Sequence, residues 1–131
     1  MNIYFGIKYF EDFSNQKHIE KITGILEDHD HKTFCVVRDV EEWGGFLLTP
    51  KELMLKTFEM IDKSELLIIE FTEKGTGLGI EAGYAFSRKI PIITIAKENS
   101  DISTTLSGIS EKIIFYKEYS DLGFKLLSVI K

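Results

Sequence analysis

Leu66-Leu67-Ile68-Ile69, followed by Gly75-Thr76-Gly77-Leu78-Gly79-Ile80-Glu81-Ala82-Gly83-Tyr84-Ala85, decides the fold. The first stretch is uninterrupted apolar sequence, which suits a strand covered on both faces in a parallel sheet. The second is a glycine-rich turn that opens a helix. In open α/β sheets such strand-to-helix junctions are where ligands bind. Gly75, Gly77 and Gly79 let backbone approach a ligand without a Cβ in the way, and Thr76 lies among them. The spacing is neither Gly-x-Gly-x-x-Gly nor a phosphate loop, since no Gly-Lys-Ser/Thr follows. A dinucleotide or nucleoside triphosphate site is therefore not favoured. Glu81, read onto the first turn of the helix after Gly79, is expected to stay ionised at the positive helix end. Beside a pocket it could then serve as a nucleophile. The plainer alternative is a tight βα turn whose glutamate only complements the helix dipole.

Working outward, Ile3-Tyr4-Phe5-Gly6-Ile7 reads as a first, central strand. Ser14 can cap a helix from about Gln16 to Asp28, with Ile19, Ile22, Ile25 and Leu26 at helical spacing. Thr33 to Val37 reads as a second buried strand and Asp39 to Gly45 as a loop. Thr49-Pro50-Lys51-Glu52 carries a helix start: cap, proline at the first helical position and Glu at the third. Glu65 to Phe71 is the third strand and Ile92 to Ala96 the fourth. Lys97 to Gly108 is a polar segment. Ile113 to Tyr116 is a last strand, and Ser120-Asp121 opens a terminal helix ending near Lys131. Strands alternating with helices imply a single domain over residues 1–131, a three-layer α/β sandwich with a five-stranded parallel sheet. The flavodoxin-like, Rossmann-like order 2-1-3-4-5 puts the crevice between strands one and three.

The chain's 131 residues suit one domain with a real core. Its formal net charge of −5 gives no electrostatic footprint for a nucleic acid polymer. No apolar run is long enough for a membrane span, and no signal-peptide pattern opens the chain. The single Cys35 excludes an internal disulfide and fits a reducing, cytoplasmic compartment. It reads as a small buried hydrophobe. His18, His29 and His31 form no metal spacing and read as surface residues, so neither metal nor cofactor is expected.

Two runs together resemble the nucleoside 2-deoxyribosyltransferase family, whose superfamily includes the 2′-deoxynucleoside 5′-phosphate N-hydrolases. They are Asn2-Ile3-Tyr4-Phe5-Gly6 and Thr76 to Ser87 with its Gly-Leu-Gly-x-Glu-x-Gly-Tyr-Ala order. The resemblance implies that Glu81 attacks the anomeric carbon of a nucleoside or nucleotide and that the Tyr4 hydroxyl sits by that carboxylate. Gly6, closing the first run, is a substrate-binding candidate, and the hydrolases' Ser/Arg phosphate-binding loop corresponds roughly to residues 7–11, where only Lys8 is cationic. Ser103 and Thr104 match a polar segment that relatives lend to a neighbouring subunit's site, which implies a homodimer or larger homo-oligomer. Breaking an N-glycosidic bond builds an oxocarbenium-like centre that a carboxylate can stabilise and trap.

The chain also departs from the pattern. The family's helical aspartate falls on Thr57, which can hydrogen-bond but cannot act as an acid near neutral pH. Glu52, Glu59 or Asp62 would replace it only if the register shifts. The position six before the nucleophile, Asp or Ser in relatives, is Gly75. Asp39 is a candidate acceptor from a base amino group, or else a turn aspartate. Trp43 is a candidate for stacking on a nucleobase, or else a loop Trp closing over the core. The expected activity is cleavage of an N-glycosidic bond, with the sugar passed to another base or to water. Two alternatives are a non-catalytic nucleotide-binding module and a cytokinin-type phosphoribohydrolase; the latter wants a Pro-Gly-Gly-x-Gly-Thr run whose start is missing before Thr76.

Overall fold

The computed structural model describes residues 1–10 and 14–130. Strands β1 (Asn2–Ile7), β2 (Lys32–Phe34), β3 (Leu66–Glu70), β4 (Ile92–Lys97) and β5 (Lys112–Tyr116) form one sheet in the order β2-β1-β3-β4-β5. Every pairing is parallel, with Tyr4 opposite Phe34 on one side and Leu67 on the other. The helices are α1 (Gln16–Glu27), α2 (Val36–Asp39), α3 (Pro50–Asp62), α4 (Thr76–Ser87), α5 (Thr104–Ile109) and α6 (Tyr119–Val129).

Alternate strand residues face opposite sides, and this divides the core in two. Ile3, Phe5, Ile68, Ile93 and Ile95 pack with Ile19, Ile22 and Leu26 of α1 and Leu122 and Leu126 of α6. Tyr4, Leu67, Ile69 and Ile92 pack with Met60 and Ile61 of α3, Leu78, Ala82 and Ala85 of α4, and Leu106 of α5. Tyr4 therefore points into the same layer as the glycine-rich helix. Helix α3 starts as its sequence predicts. The Thr49 hydroxyl accepts from Glu52 N at 3.2 Å, and Thr49 N donates to Glu52 Oε1 at 3.0 Å.

Several local expectations are corrected. The second strand stops at Phe34. Cys35 precedes a short helix despite the strand-favouring Val36-Val37, because local side-chain bonds to the backbone compete with the strand there. The Asp39 carboxylate accepts from Cys35 N at 2.9 Å, and Arg38 Nη2 donates to the Thr33 carbonyl at 2.8 Å. These bonds wind the chain as soon as it leaves the edge of the sheet. The expected Asp39–Gly45 loop is the end of α2 followed by a 3₁₀ turn, Glu42–Gly44. Residues 104–109 of the polar segment are helix α5. Asn15, not Ser14, is the cap position of α1, with no capping bond from its side chain. The terminal helix ends at Val129, and Lys131 and Glu11 lie outside the described residues.

His18 is not a free surface residue. Glu70, only 2% exposed, accepts from Tyr116 Oη at 2.5 Å, Thr72 N at 2.6 Å, Thr72 Oγ1 at 2.9 Å and His18 Nε2 at 3.0 Å. Because a carboxylate can only accept, His18 Nε2 donates, and Nδ1 lies within hydrogen-bond distance of Tyr119 Oη at 2.7 Å. Burial pushes the Glu70 carboxyl up, but the hydrogen bonds outweigh it and hold its pKa below the usual carboxylate range.

Candidate active site

A cleft of about 270 Å³ opens over the carboxyl end of β1 on the α3–α4 side. Tyr4, Gly6 and Lys8 come from β1 and the residues after it. Val36, Val37 and Glu41 come from α2 and the turn beyond. Leu53, Met54 and Thr57 belong to the first turns of α3, and Gly75, Gly77, Leu78 and Glu81 to α4 and its cap. Helices return antiparallel to the strands, so α3 and α4 both aim their amino ends at this cleft.

Tyr4 Oη donates a short hydrogen bond to Glu81 Oε1. The other carboxylate oxygen, Oε2, lies above Gly6: a Cβ built on Gly6 would stand 3.7 Å from it and 3.5 Å from Leu78 Cδ2. One oxygen is thus held by the phenol, and the other faces space that a side chain at position 6 would fill. The helix starts at Thr76, earlier than the sequence reading placed it. Glu81 therefore sits in the second turn, beyond the strongest dipole effect. The expectation that it stays fully ionised is corrected. Burial raises its pKa to about 7, and the Tyr4 hydrogen bond only partly opposes that. Tyr4 is pushed well above its ordinary value by burial and by the Glu81 carboxylate.

Thr57 is 3% exposed and lines the cleft near Tyr4, its hydroxyl donating to the Leu53 carbonyl at 2.8 Å. The other α3 acids point elsewhere. Glu52 is engaged in the capping box, Glu59 pairs with Lys63 at 3.0 Å, and Asp62 pairs with Arg88 at 2.9 Å. Lys8 and Gly75 meet at the mouth, where a Cβ on Gly75 would stand 3.7 Å from Lys8 Cγ. Cys35 lines the cleft as an inert thiol, pushed by burial up to about 12.

The remaining sequence candidates do not line this cleft. The Asp39 carboxylate is held by Cys35 N and by Arg38, at 2.7 Å from Arg38 Nε. Trp43, at φ 57°, packs against the core layer on the other face of the sheet, so it closes over the core and is not placed to stack on a base. Thr76 and Gly79 stand exposed on α4 outside the lining. Ser103 caps α5, its hydroxyl accepting from Leu106 N at 3.4 Å, and Thr104 is exposed beside it. Neither lines the cleft of its own chain. Sequence reasoning missed Glu41, two residues beyond Asp39, because a strand through Val37 and a featureless loop from Asp39 to Gly45 give no sign of the helical turn that sets its position. Among the described residues, no group of three or more His, Cys, Asp or Glu could hold a metal ion.

No protein-family model matches the chain. It is 23% identical over 129 residues to a candidate 2′-deoxynucleoside 5′-phosphate N-hydrolase 1 of Thermofilum pendens, covering 93% of the chain and 87% of that protein. It is 28% identical over 74 residues to the like-named protein of Methanosarcina mazei, covering 56% of the chain and only 46% of that relative. Among solved structures, the CMP N-glycosidase of Clostridium botulinum superposes with a TM-score of 0.75 at 18% identity, over 99% of this chain and all of that one. A 2-deoxyribosyltransferase of Bacillus psychrosaccharolyticus gives 0.72 at 15% identity, over 94% and 90%. These matches support the resemblance to the nucleoside 2-deoxyribosyltransferase family, and the five-stranded parallel fold is shared. Among the described residues, no helix is long and apolar enough to cross a membrane.

Proposed function

We propose that this protein is an enzyme that cleaves the N-glycosidic bond of a nucleoside or 2′-deoxynucleoside and passes the sugar to water or to another base. The observation that carries this reading is the Tyr4–Glu81 pair at the switch point of the sheet. Glu81 Oε2 attacks the anomeric carbon and forms a glycosyl-enzyme, which water or an acceptor base then resolves. Tyr4 holds Oε1 and fixes the carboxylate's orientation. The raised pKa of Glu81 lets the group exchange its proton near neutrality, and only the ionised form attacks. Gly6 keeps the approach to Oε2 open. Gly75 and Gly77 let the sugar lie against backbone, and Lys8 at the mouth supplies a cation for a 5′-phosphate. The names of the relatives, which include a candidate 2′-deoxynucleoside 5′-phosphate N-hydrolase and a CMP N-glycosidase, support a monophosphate substrate.

We propose further that the cleft is completed in a homo-oligomer, with Ser103 and Thr104 of a second copy reaching over it.

The test is incubation with nucleosides and their monophosphates, with and without an acceptor base, followed by chromatography of free base. Base release that requires an intact Glu81 supports the reading. Binding without turnover across the panel would instead indicate a nucleotide-binding module.

A further inference from the structure

Cleaving an N-glycosidic bond requires a proton as well as a nucleophile, because a purine or pyrimidine leaves poorly as an anion. Building on the function proposed above, we propose that Glu41 is the catalytic acid that protonates the departing base. Thr57 cannot do so, since a hydroxyl is no acid at neutral pH. Among the described residues, Glu41 and Glu81 are the only acidic residues lining the cleft. The strand order sets them on opposite walls, Glu41 beyond β2 and Glu81 after β3, with β1 as the floor between. Two interstrand spacings amount to about 10 Å. That leaves room for a sugar against Glu81 and a base ring reaching toward Glu41.

The turn that presents Glu41 is pinned at its backbone. Glu41 N donates to the Val36 carbonyl at 3.0 Å, and its own carbonyl accepts from Gly44 N at 2.9 Å and Phe46 N at 3.0 Å. Its carboxyl has no hydrogen-bond or ion-pair partner among the described residues. The other titratable side chains lining the cleft are Tyr4, Lys8, Tyr9, Cys35 and Glu81. Burial raises the pKa of Glu41, which favours the proton-holding form an acid needs.

In the first step Glu81 Oε2 bonds to C1′ as the C1′–N bond breaks. The bonding pair goes to the base, and the Glu41 proton passes to a ring nitrogen or carbonyl oxygen of that base. In the second step water attacks C1′ and gives its proton to Glu41, and the bond to Glu81 breaks. Both carboxyl groups return to their starting states.

The experiment compares wild type, Glu41→Gln and Glu41→Asp on a purine 2′-deoxynucleoside 5′-monophosphate and on the matching 4-nitrophenyl 2-deoxyriboside 5-phosphate. Nitrophenolate leaves without a proton. Glu41→Gln should lower kcat on the nucleotide by about 10²–10⁴-fold, the usual contribution of a placed acid, and lower it far less on the nitrophenyl substrate. Glu41→Asp should retain part of the nucleotide rate. The pH profile of the wild type should be a bell, whereas Glu41→Gln should lose the alkaline limb and level off above about 7, where Glu81 is ionised. Equal losses on both substrates, or undiminished nucleotide cleavage by Glu41→Gln, would overturn the role of Glu41 alone. A wild type that releases neither base nor nitrophenolate would overturn the glycosidase reading itself.

Discussion

Glu81 lowers stability once it ionises. Folding raises its pKa from the ordinary 4.5 to about 7, so the native state holds this proton more tightly than the unfolded chain. Its favourable contribution is complete below about 4.5 and is lost as pH rises through about 7. Glu81→Gln keeps an acceptor for Tyr4 and removes the ionisation. Its stability relative to wild type should therefore increase by about 1–3 kcal/mol between about pH 4 and pH 8. Urea unfolding across that range checks this; a pH-independent difference would mean that Glu81 ionises freely. Tyr4 and Glu81 were legible in the sequence because each sits in a short run with a distinctive order. The resemblance already implied that they pair; the adjacency of β1 and β3 supplies the geometry, with Tyr4 Oη on Glu81 Oε1 and Gly6 beneath Oε2. For Asp39 and Trp43 the sequence leaves two readings each, and the structure takes the plainer one, a turn aspartate and a Trp closing over the core, because their orientation depends on a turn at residues 36–44 that local propensity reads as strand and loop.

At the scale of elements, the strands and long helices followed from apolar runs and capping signals. The ties between them did not, because hydrogen bonds between distant residues leave no periodic mark. Glu70 is the main case. It joins β3 to β5 through Tyr116 and to α1 through His18, with Tyr119 of α6 behind. Glu70→Ala would leave those donors buried and unpaired, and should cost about 2–4 kcal/mol near neutrality. The pKa of Glu70 is held below its ordinary value, so its contribution is present above the usual carboxylate pKa and lost as pH falls. The gap between wild type and variant should narrow in acid. A gap that stays the same down to about pH 2 would show that the carboxylate charge is not what stabilises the junction. Thr49→Ala at the start of α3 should cost about 1 kcal/mol, as loss of an N-cap does, with Tm as the readout.

The whole molecule is best tested in solution. Leu55, Ile80 and Phe86 are 61%, 47% and 57% exposed on α3 and α4, the helices that flank the cleft. Phe58 and Tyr84 stack between those helices at 4.2 Å, whereas Met60 of α3 is buried and adds nothing to this face. An oligomer formed over this face should bury at least about 1,000 Å² in total, and light scattering should give a mass of two chains or more. Mixing Glu81→Ala protomers with protomers carrying Ser103→Gly and Thr104→Val should restore part of the activity, because some mixed sites hold both intact segments. A clean monomer, or mixtures that stay inactive after verified subunit exchange, would show that each site is built from one chain.

The central claim is that Glu81 becomes covalently attached to the sugar. A 2′-fluorinated nucleoside or its monophosphate slows both steps, because the substituent destabilises the oxocarbenium-like transition state. Peptide mapping by mass spectrometry after incubation reads the outcome directly. The account predicts one added fluorodeoxyribosyl group on the peptide containing Glu81, and none on Glu81→Ala. A label on another residue, or base release by Glu81→Ala at the wild-type rate, would contradict it.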